Sequence, residues 1–245
     1  LGPYFGCYDL NGNYIWIKTA GSLNNDHVMD IEVDNADNLY VGFVSGGVGT
    51  DFDPGVAVAS VPVFVNDGVF AKFDAAGNQL WATYYGGSGT DYGSGVDVDG
   101  SNNIVFTGWT NSLDFPVSPG AYQLVNNGIF DSFFIKFSST GNRLWSTYFG
   151  GVNIDEGFGV AIDGNDDIYF FGDTYSPDFP VTSCAYQTYF GGDEDFYVTK
   201  FDGSGSLICS GFLGDLGHDD ANSGGHIAVD AGYIYVVGST PGPFQ

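Results

Sequence analysis

The chain repeats itself. The stretch GNQLWATYYGG, opening at Gly77, nearly superimposes on GNRLWSTYFGG, opening at Gly141. Weaker copies open at Gly12 (GNYIWIKTAG) and Gly205 (GSLICSGFLG), so the spacings from 12 to 77, 77 to 141 and 141 to 205 are 65, 64 and 64 residues. A period that long and regular means an architecture assembled from equal units.

Each unit holds four strand-like runs. In the second unit they are Gly95–Asp99, Asn103–Thr110, Ser132–Phe137 and Arg143–Phe149, called here a, b, c and d. They are short, rich in Val, Ile, Phe, Tyr and Trp, and bounded by Gly, Asn, Asp and Ser. The a–b and c–d links are hairpin-length and carry residues that tolerate positive φ. No window sustains a helical period. Four antiparallel strands in ~60 residues, repeated, predict an all-β propeller of four-stranded blades. Strand b is apolar on both faces, as in Ile168-Tyr169-Phe170-Phe171, which suits a blade with a neighbour on each side.

The units divide the chain near 1–20, 21–85, 86–149, 150–213 and 214–245. The first is strands c and d alone, the last a and b alone. The two halves would either close a four-bladed ring or belong to a larger propeller, and the chain reads as a piece of the larger one. It opens at Leu1 with no visible signal peptide, as a mature or trimmed fragment would.

Five basic against 30 acidic residues give a net charge of −25, which excludes nucleic acid as a direct partner and favours cations or basic partners. No apolar run reaches the length of a membrane span. The three cysteines, Cys7, Cys184 and Cys209, match no metal-ligand spacing and leave a disulfide open but unpaired.

The strings Tyr84–Gln123 and Tyr148–Gln187 share Gly-Gly, an Asp-bearing turn, G-x-A/V-x-D, DFP and A-Y-Q. They resemble the bacterial SBBP repeat, the seven-bladed β-propeller repeat. Asn11–Asp74 fits less well, with Asp51-Phe52-Asp53-Pro54 in place of DFP, and Pro241–Gln245 reads as a shortened copy of the A-Y-Q segment. The resemblance implies a secreted or surface-displayed bacterial protein, a module of a longer chain with further domains, and carries no catalytic residues over.

Antiparallel order puts the d–a and b–c connections on one face. The b–c connection is a ~20-residue insert, long enough to expect a function. Its aromatics Phe115, Tyr122, Phe179, Tyr186 and Tyr189 are candidates for glycan or peptide contact, or packing anchors for each insert. Repeated acids enter the same face: Asp26, Asp91, Asp155 and Asp219 before strand a, and Asp67, Asp131 and Asp195 before strand c. Among them Asp91, Asp155, Asp219, Asp131 and Asp195 are candidate calcium ligands, calcium being the one cofactor the pattern suggests. Backbone-bonded turns are the alternative.

Lys72, Lys136 and Lys200 recur 64 residues apart in strand c, where the first unit has Cys7. So rare a residue placed so regularly predicts a structural lysine paired with Asp34, Asp99 and Asp163, or with the acid entering strand c. Exposed edge lysines are the alternative. Trp16, Trp81 and Trp145 are the matching structural residues of strand d, with Cys209 in the fourth copy.

Acid pairs such as Asp155/Glu156 and Asp219/Asp220, and the histidines His27, His218 and His226, form no recognisable catalytic motif. The expectation is a non-catalytic adhesion or interaction scaffold at the bacterial surface, bound to protein or glycan. The alternative is a secreted propeller enzyme or lectin acting on polysaccharide through the inserts. A non-repeated polar cluster would favour the second, residues identical from unit to unit the first.

Overall fold

The computed structural model of the chain describes residues 4–19, 27–45, 67–219, 226–230 and 232–240. Asp26, Asp220 and the segments 51–54 and 241–245 lie outside them. The described residues contain sixteen strands and no helix.

Strands β1 (Tyr4–Tyr8) and β2 (Tyr14–Thr19) form a hairpin. Three four-stranded antiparallel sheets follow. The first runs β3 (His27–Val33), β4 (Leu39–Ser45), β5 (Asp67–Phe73) and β6 (Gln79–Tyr85). The second runs β7 (Asp91–Val98), β8 (Ile104–Thr110), β9 (Asp131–Phe137) and β10 (Arg143–Phe149). The third runs β11 (Asp155–Ile162), β12 (Ile168–Thr174), β13 (Asp195–Phe201) and β14 (Leu207–Leu213). A last hairpin joins β15 (His226–Asp230) to β16 (Tyr233–Val237). The two hairpins are separate sheets, not paired with each other. The array is propeller-like, with the leading strands β3, β7, β11 and β15 in contact in chain order.

Phenylalanines fill the wedges between sheets. Phe70 stacks on Phe106 of the next sheet, and Phe134 on Phe170 of the one after, each at 3.7 Å between ring centroids. Burial of such rings is the largest favourable contribution to a fold of this kind.

Two repeated side chains then tie each sheet to the next. The Trp16 indole N–H donates to the Ala75 carbonyl at 2.9 Å, Trp81 to Ser139 at 3.2 Å and Trp145 to Gly203 at 3.2 Å. Each acceptor lies in the c–d turn of the following sheet. Gly77 and Gly205 make that turn with φ of +79° and +89°, and a Cβ on either would come within 2.8 Å of the Trp16 or Trp145 ring. Glycine is therefore required twice, for the backbone and for the indole above it.

The lysines sit on strand c, paired with tryptophans of strand d: Lys72 faces Trp81 and Lys136 faces Trp145. Lys72 pairs with Asp34 at 3.2 Å and Lys136 with Asp99 at 2.8 Å, and all four side chains are buried. Lys136 also donates to the Gly203 carbonyl at 3.3 Å, so ion pair and indole converge on one turn. Burial opposes the charge on Asp99, but the Lys136 ammonium and the Asn103 amide outweigh it and hold the carboxyl below its ordinary value.

The third lysine departs from expectation. Lys200 pairs with Asp167, at 2.6 Å, and not with Asp163. Asn38 and Asn103 donate their side-chain amides to Asp34 and Asp99. The equivalent residue in the third sheet is Asp167, which carries no such donor and takes the lysine itself. Asp163 accepts the Tyr169 hydroxyl instead, at 3.0 Å.

Candidate functional site

The inserts, long enough to expect a function, turn back along strand d. Ser118 N–H donates to the Ser146 carbonyl at 3.0 Å and Tyr148 N–H to Gln123 at 3.3 Å; Thr182 N–H reaches Ser210 and Phe212 N–H reaches Gln187. Each insert thus covers the open edge of β10 or β14, which would otherwise offer unpaired backbone groups to another chain. A disulfide between Cys184 and Cys209, Cα atoms 5.8 Å apart, fixes the second insert to β14.

Of the insert aromatics, Phe115 and Phe179 take the packing-anchor role and are not placed to meet a ligand. Phe115 and Phe179 are buried in the sheet cores against Tyr148 and Tyr197. Tyr122 is half exposed but leans on Phe149 and Phe201 at the junction between two sheets. Tyr186 and Tyr189 are exposed.

The repeated acids build a second network. Asp155 is fully buried; it accepts the Thr174 hydroxyl, the Gly151 N–H at 2.8 Å and the Ser176 hydroxyl at 2.9 Å. Asp91 does the same with Thr110, Gly87 and Ser112. Each thereby ties the d–a loop to the start of the insert. The Asp of DFP holds the same loop from outside: Asp114 accepts the Ser88 N–H and Asp178 the Val152 N–H. The Gly-Gly pair is what lets both acids in. A Cβ on Gly150 would lie 2.7 Å from Asp155 Oδ2, and one on Gly151 2.5 Å from Asp178 Oδ1.

Asp131 accepts the Asn127 and Gly128 N–H groups and the Gln123 amide. Asp195 accepts the Gly191 N–H and the Gln187 amide, and Asp219 accepts the Asp215 N–H at 2.9 Å. The glutamine of A-Y-Q is the residue that sequence reasoning left without a role. Gln123 also accepts the Gly150 N–H, bridging strand c to the end of strand d. Burial pushes Asp155 up to about 7, and Asp131 and Asp195 up to about 6. Among the described residues no three His, Cys, Asp or Glu side chains are placed to hold a metal ion.

Between these repeated residues lie positions where the units diverge. On the rim of the second sheet, Tyr92 and Trp109 are cross-strand partners whose rings stack at 4.4 Å, and Trp109 touches Phe158 at 5.6 Å. The matching pair in the third sheet is Glu156 opposite Asp173. Phe130 bridges Ile154; its counterpart Glu194 bridges His218. Asn111, whose N–H donates to Thr90, becomes Tyr175, whose N–H donates to Ile154.

Five aligned positions have thus exchanged largely apolar residues for Glu156, Asp173, Tyr175, Glu194 and His218. Glu194 is fully buried, with Oε2 2.5 Å from His218 Nδ1. His218 is half exposed. Burial and then Glu194 raise the Tyr175 hydroxyl well above its ordinary value, with Asp173 and Glu156 adding to the effect. The signal was available in the sequence: it is the set of rim positions at which the 64-residue period fails.

Residues 80–116 and 144–180 match the family model described as SBBP, the beta-propeller repeat. An uncharacterized WD repeat-containing protein of Acanthamoeba polyphaga mimivirus is 26% identical over 195 residues, 73% of this chain, and the chain spans 13% of that protein's length. A protein of unknown function from Bacteroides caccae has a similar solved structure at TM-score 0.36 and 9% identity, covering 83% of this chain and 73% of that one. No helix among the described residues is long and apolar enough to cross a membrane.

Proposed function

We propose that the chain is a non-catalytic β-propeller interaction module of a secreted or surface-displayed protein, and that its partner meets the face built by the d–a loops and the starts of the inserts. One observation carries this. On that face the repeated residues are buried and bonded to one another, while the positions between them change from sheet to sheet. A stiff frame presenting variable side chains is what recognition needs. The Cys184–Cys209 disulfide supports an oxidising compartment. The propeller repeat match and the WD-repeat relative support the module reading.

The test places a photo-crosslinking amino acid at Val152, exposed in a d–a loop, or at Thr140, in a turn on the opposite face. Adducts with one protein from position 152 and none from 140 are expected in the producing cells. Equal adducts from both positions, or release of reducing ends when the chain is incubated with polysaccharide, would overturn the reading.

A further inference from the structure

The two ends of the array are complementary. At the complete junctions, strand c of one sheet faces back onto the sheet before it. Phe137 packs on Phe70 and Trp81, and Phe201 on Phe134 and Trp145. The residue at that place in β1 is Tyr8. It is 55% exposed, and Tyr4, on the same face of the strand, is 72% exposed. Phe5, on the other face, is buried against Phe43 and Phe73. The β1–β2 hairpin therefore supports the sheet that follows it and has its back uncovered.

At the other end the strands are missing and the seat is present. β15 packs on β11, but β16 pairs only with β15 among the described strands, and all five of its residues, Tyr233–Val237, are exposed. A cavity of about 370 Å³ opens between β16 and the third sheet, lined among others by Tyr169, Val198, Lys200, Leu213, Ile234 and Val236. Val198 and Leu213 stand where Phe134 and Phe149 stand in the second sheet, and those two rings pack on Phe201. The cavity is thus the seat of a strand-c aromatic. An apolar edge strand beside it is a template for further pairing.

The lysines give an independent sign of what belongs there. Lys72 donates to the Ser139 carbonyl at 3.4 Å and Lys136 to the Gly203 carbonyl at 3.3 Å, each in the c–d turn of the following sheet. The residue at that place in the first unit is Leu10, in the turn between β1 and β2. The Lys200 side chain is 26% exposed, against 7% and 4% for Lys72 and Lys136. It lines the cavity, on the side where such a turn would close over it.

Within one chain the two hairpins are separate sheets. We propose that the β1–β2 hairpin of a second copy of this chain adds to β16 as strands c and d, seating its Tyr8 in the cavity on the third sheet. Tyr235 would meet Cys7 in the register by which Tyr40 meets Lys72 and Tyr169 meets Lys200. Lys200 would gain the Leu10 carbonyl. Two copies that exchange hairpins keep three sheets each and share two completed ones, which leaves neither β1 nor β16 as an open edge. The contact uses strand edges and not the d–a loops, so a partner at the loop face neither requires nor prevents it.

The test is sedimentation velocity of the 245-residue chain at high salt, where repulsion between copies of charge −25 is screened. A species of twice the chain's mass, growing with concentration, is expected. Tyr8→Glu, at an exposed position, would bring a charge into the cavity; it should weaken association about tenfold or more and leave the melting temperature of the single chain unchanged. Tyr189→Glu, exposed but outside the contact, should leave association as it was. The register is read by mixing a Cys7→Ser, Tyr235→Cys chain with the unaltered one: oxidation should join position 235 of the first to Cys7 of the second. If Tyr8→Glu fails to fold, that mixture decides alone. A single chain at every concentration up to about 100 μM, a dimer that folded Tyr8→Glu leaves intact, or a mixture that does not cross-link would overturn the proposal. So would a chain carrying Tyr235→Cys alone that closes on its own Cys7, since the missing strands would then come from the same copy.

Discussion

Asp131 and Asp155 come from neighbouring sheets and close on the same glycine. A Cβ at Gly150 would lie 2.7 Å from Asp155 Oδ2 and 3.0 Å from Asp131 Oδ1. Burial raises both carboxyls, and the Asp131 charge raises Asp155 further.

This arrangement sets the direction of the pH dependence. Carboxyls with raised folded pKa bind protons that the unfolded chain has already released, so stability falls as pH rises through the window between the two values. Asp155 at about 7, and Asp131, Asp195 and Asp97 at about 6, place that window between the ordinary carboxylate value of 3.8 and about 7. Asp34, Asp99 and Asp163 are lowered and act oppositely, losing their contribution only as pH falls below 3.8. The melting temperature should therefore drop from about pH 4.5 to about pH 7.5. Asp155→Asn should flatten that slope. A melting temperature that rises across the interval would refute the assignment.

Lys136→Met should cost about 3 kcal/mol, because it leaves Asp99 buried without its cation. Lys18→Met, at an exposed position, should change stability by less than about 0.5 kcal/mol. Denaturant unfolding of both variants checks this, and similar losses would show that the lysine acts through something other than the ion pair.

Two glycine substitutions separate strain from collision. Gly120 and Gly205 both have positive φ, +81° and +89°, but a Cβ on Gly120 meets nothing within 4 Å, whereas one on Gly205 meets the Trp145 ring. Gly120→Ala should lose about 1 kcal/mol from the backbone alone. Gly205→Ala should lose at least about 1 kcal/mol more, from the displaced indole. Equal losses would mean that the tryptophan yields without cost.

Replacing both Cys184 and Cys209 by serine opens a cross-link between residues 25 apart. The expected loss is about 3 kcal/mol by loop-closure entropy, with earlier proteolysis in 182–190, since the insert then holds to β14 only by hydrogen bonds and the packing of Phe179 and Phe190 on Phe212. Unchanged cleavage there would show that those contacts suffice.

The strands were legible because their boundaries are written in side chains: Gly141 and Asn142 mark one turn, Asp99 and Asn103 another. The lysine pairing was legible for Asp34 and Asp99 because the partner repeats with the lysine. It misled at Lys200, where the exchange of Asn103 for Asp167 changes a donor into a competitor. The path of the inserts was not legible. It rests on backbone groups such as Ser118 N–H and the Ser146 carbonyl, which leave no residue pattern. The phenylalanine of DFP was legible as a packing anchor because it recurs in each insert, and Phe115 and Phe179 are both buried. The cluster around Glu194 hid for the opposite reason: attention to what recurs passes over the places where recurrence stops.

The tryptophan hooks all reach forward, from Trp16, Trp81 and Trp145 into the turn of the sheet that follows, while at the next position Cys209 is turned inward to Cys184. A tension applied to the two ends of the array would load the hooked junctions in series. The junction after β14 has no indole to share the load. It should be the first to part under force, so the array has a built-in place to yield that leaves the hooked sheets and the acidic cluster of the third sheet intact.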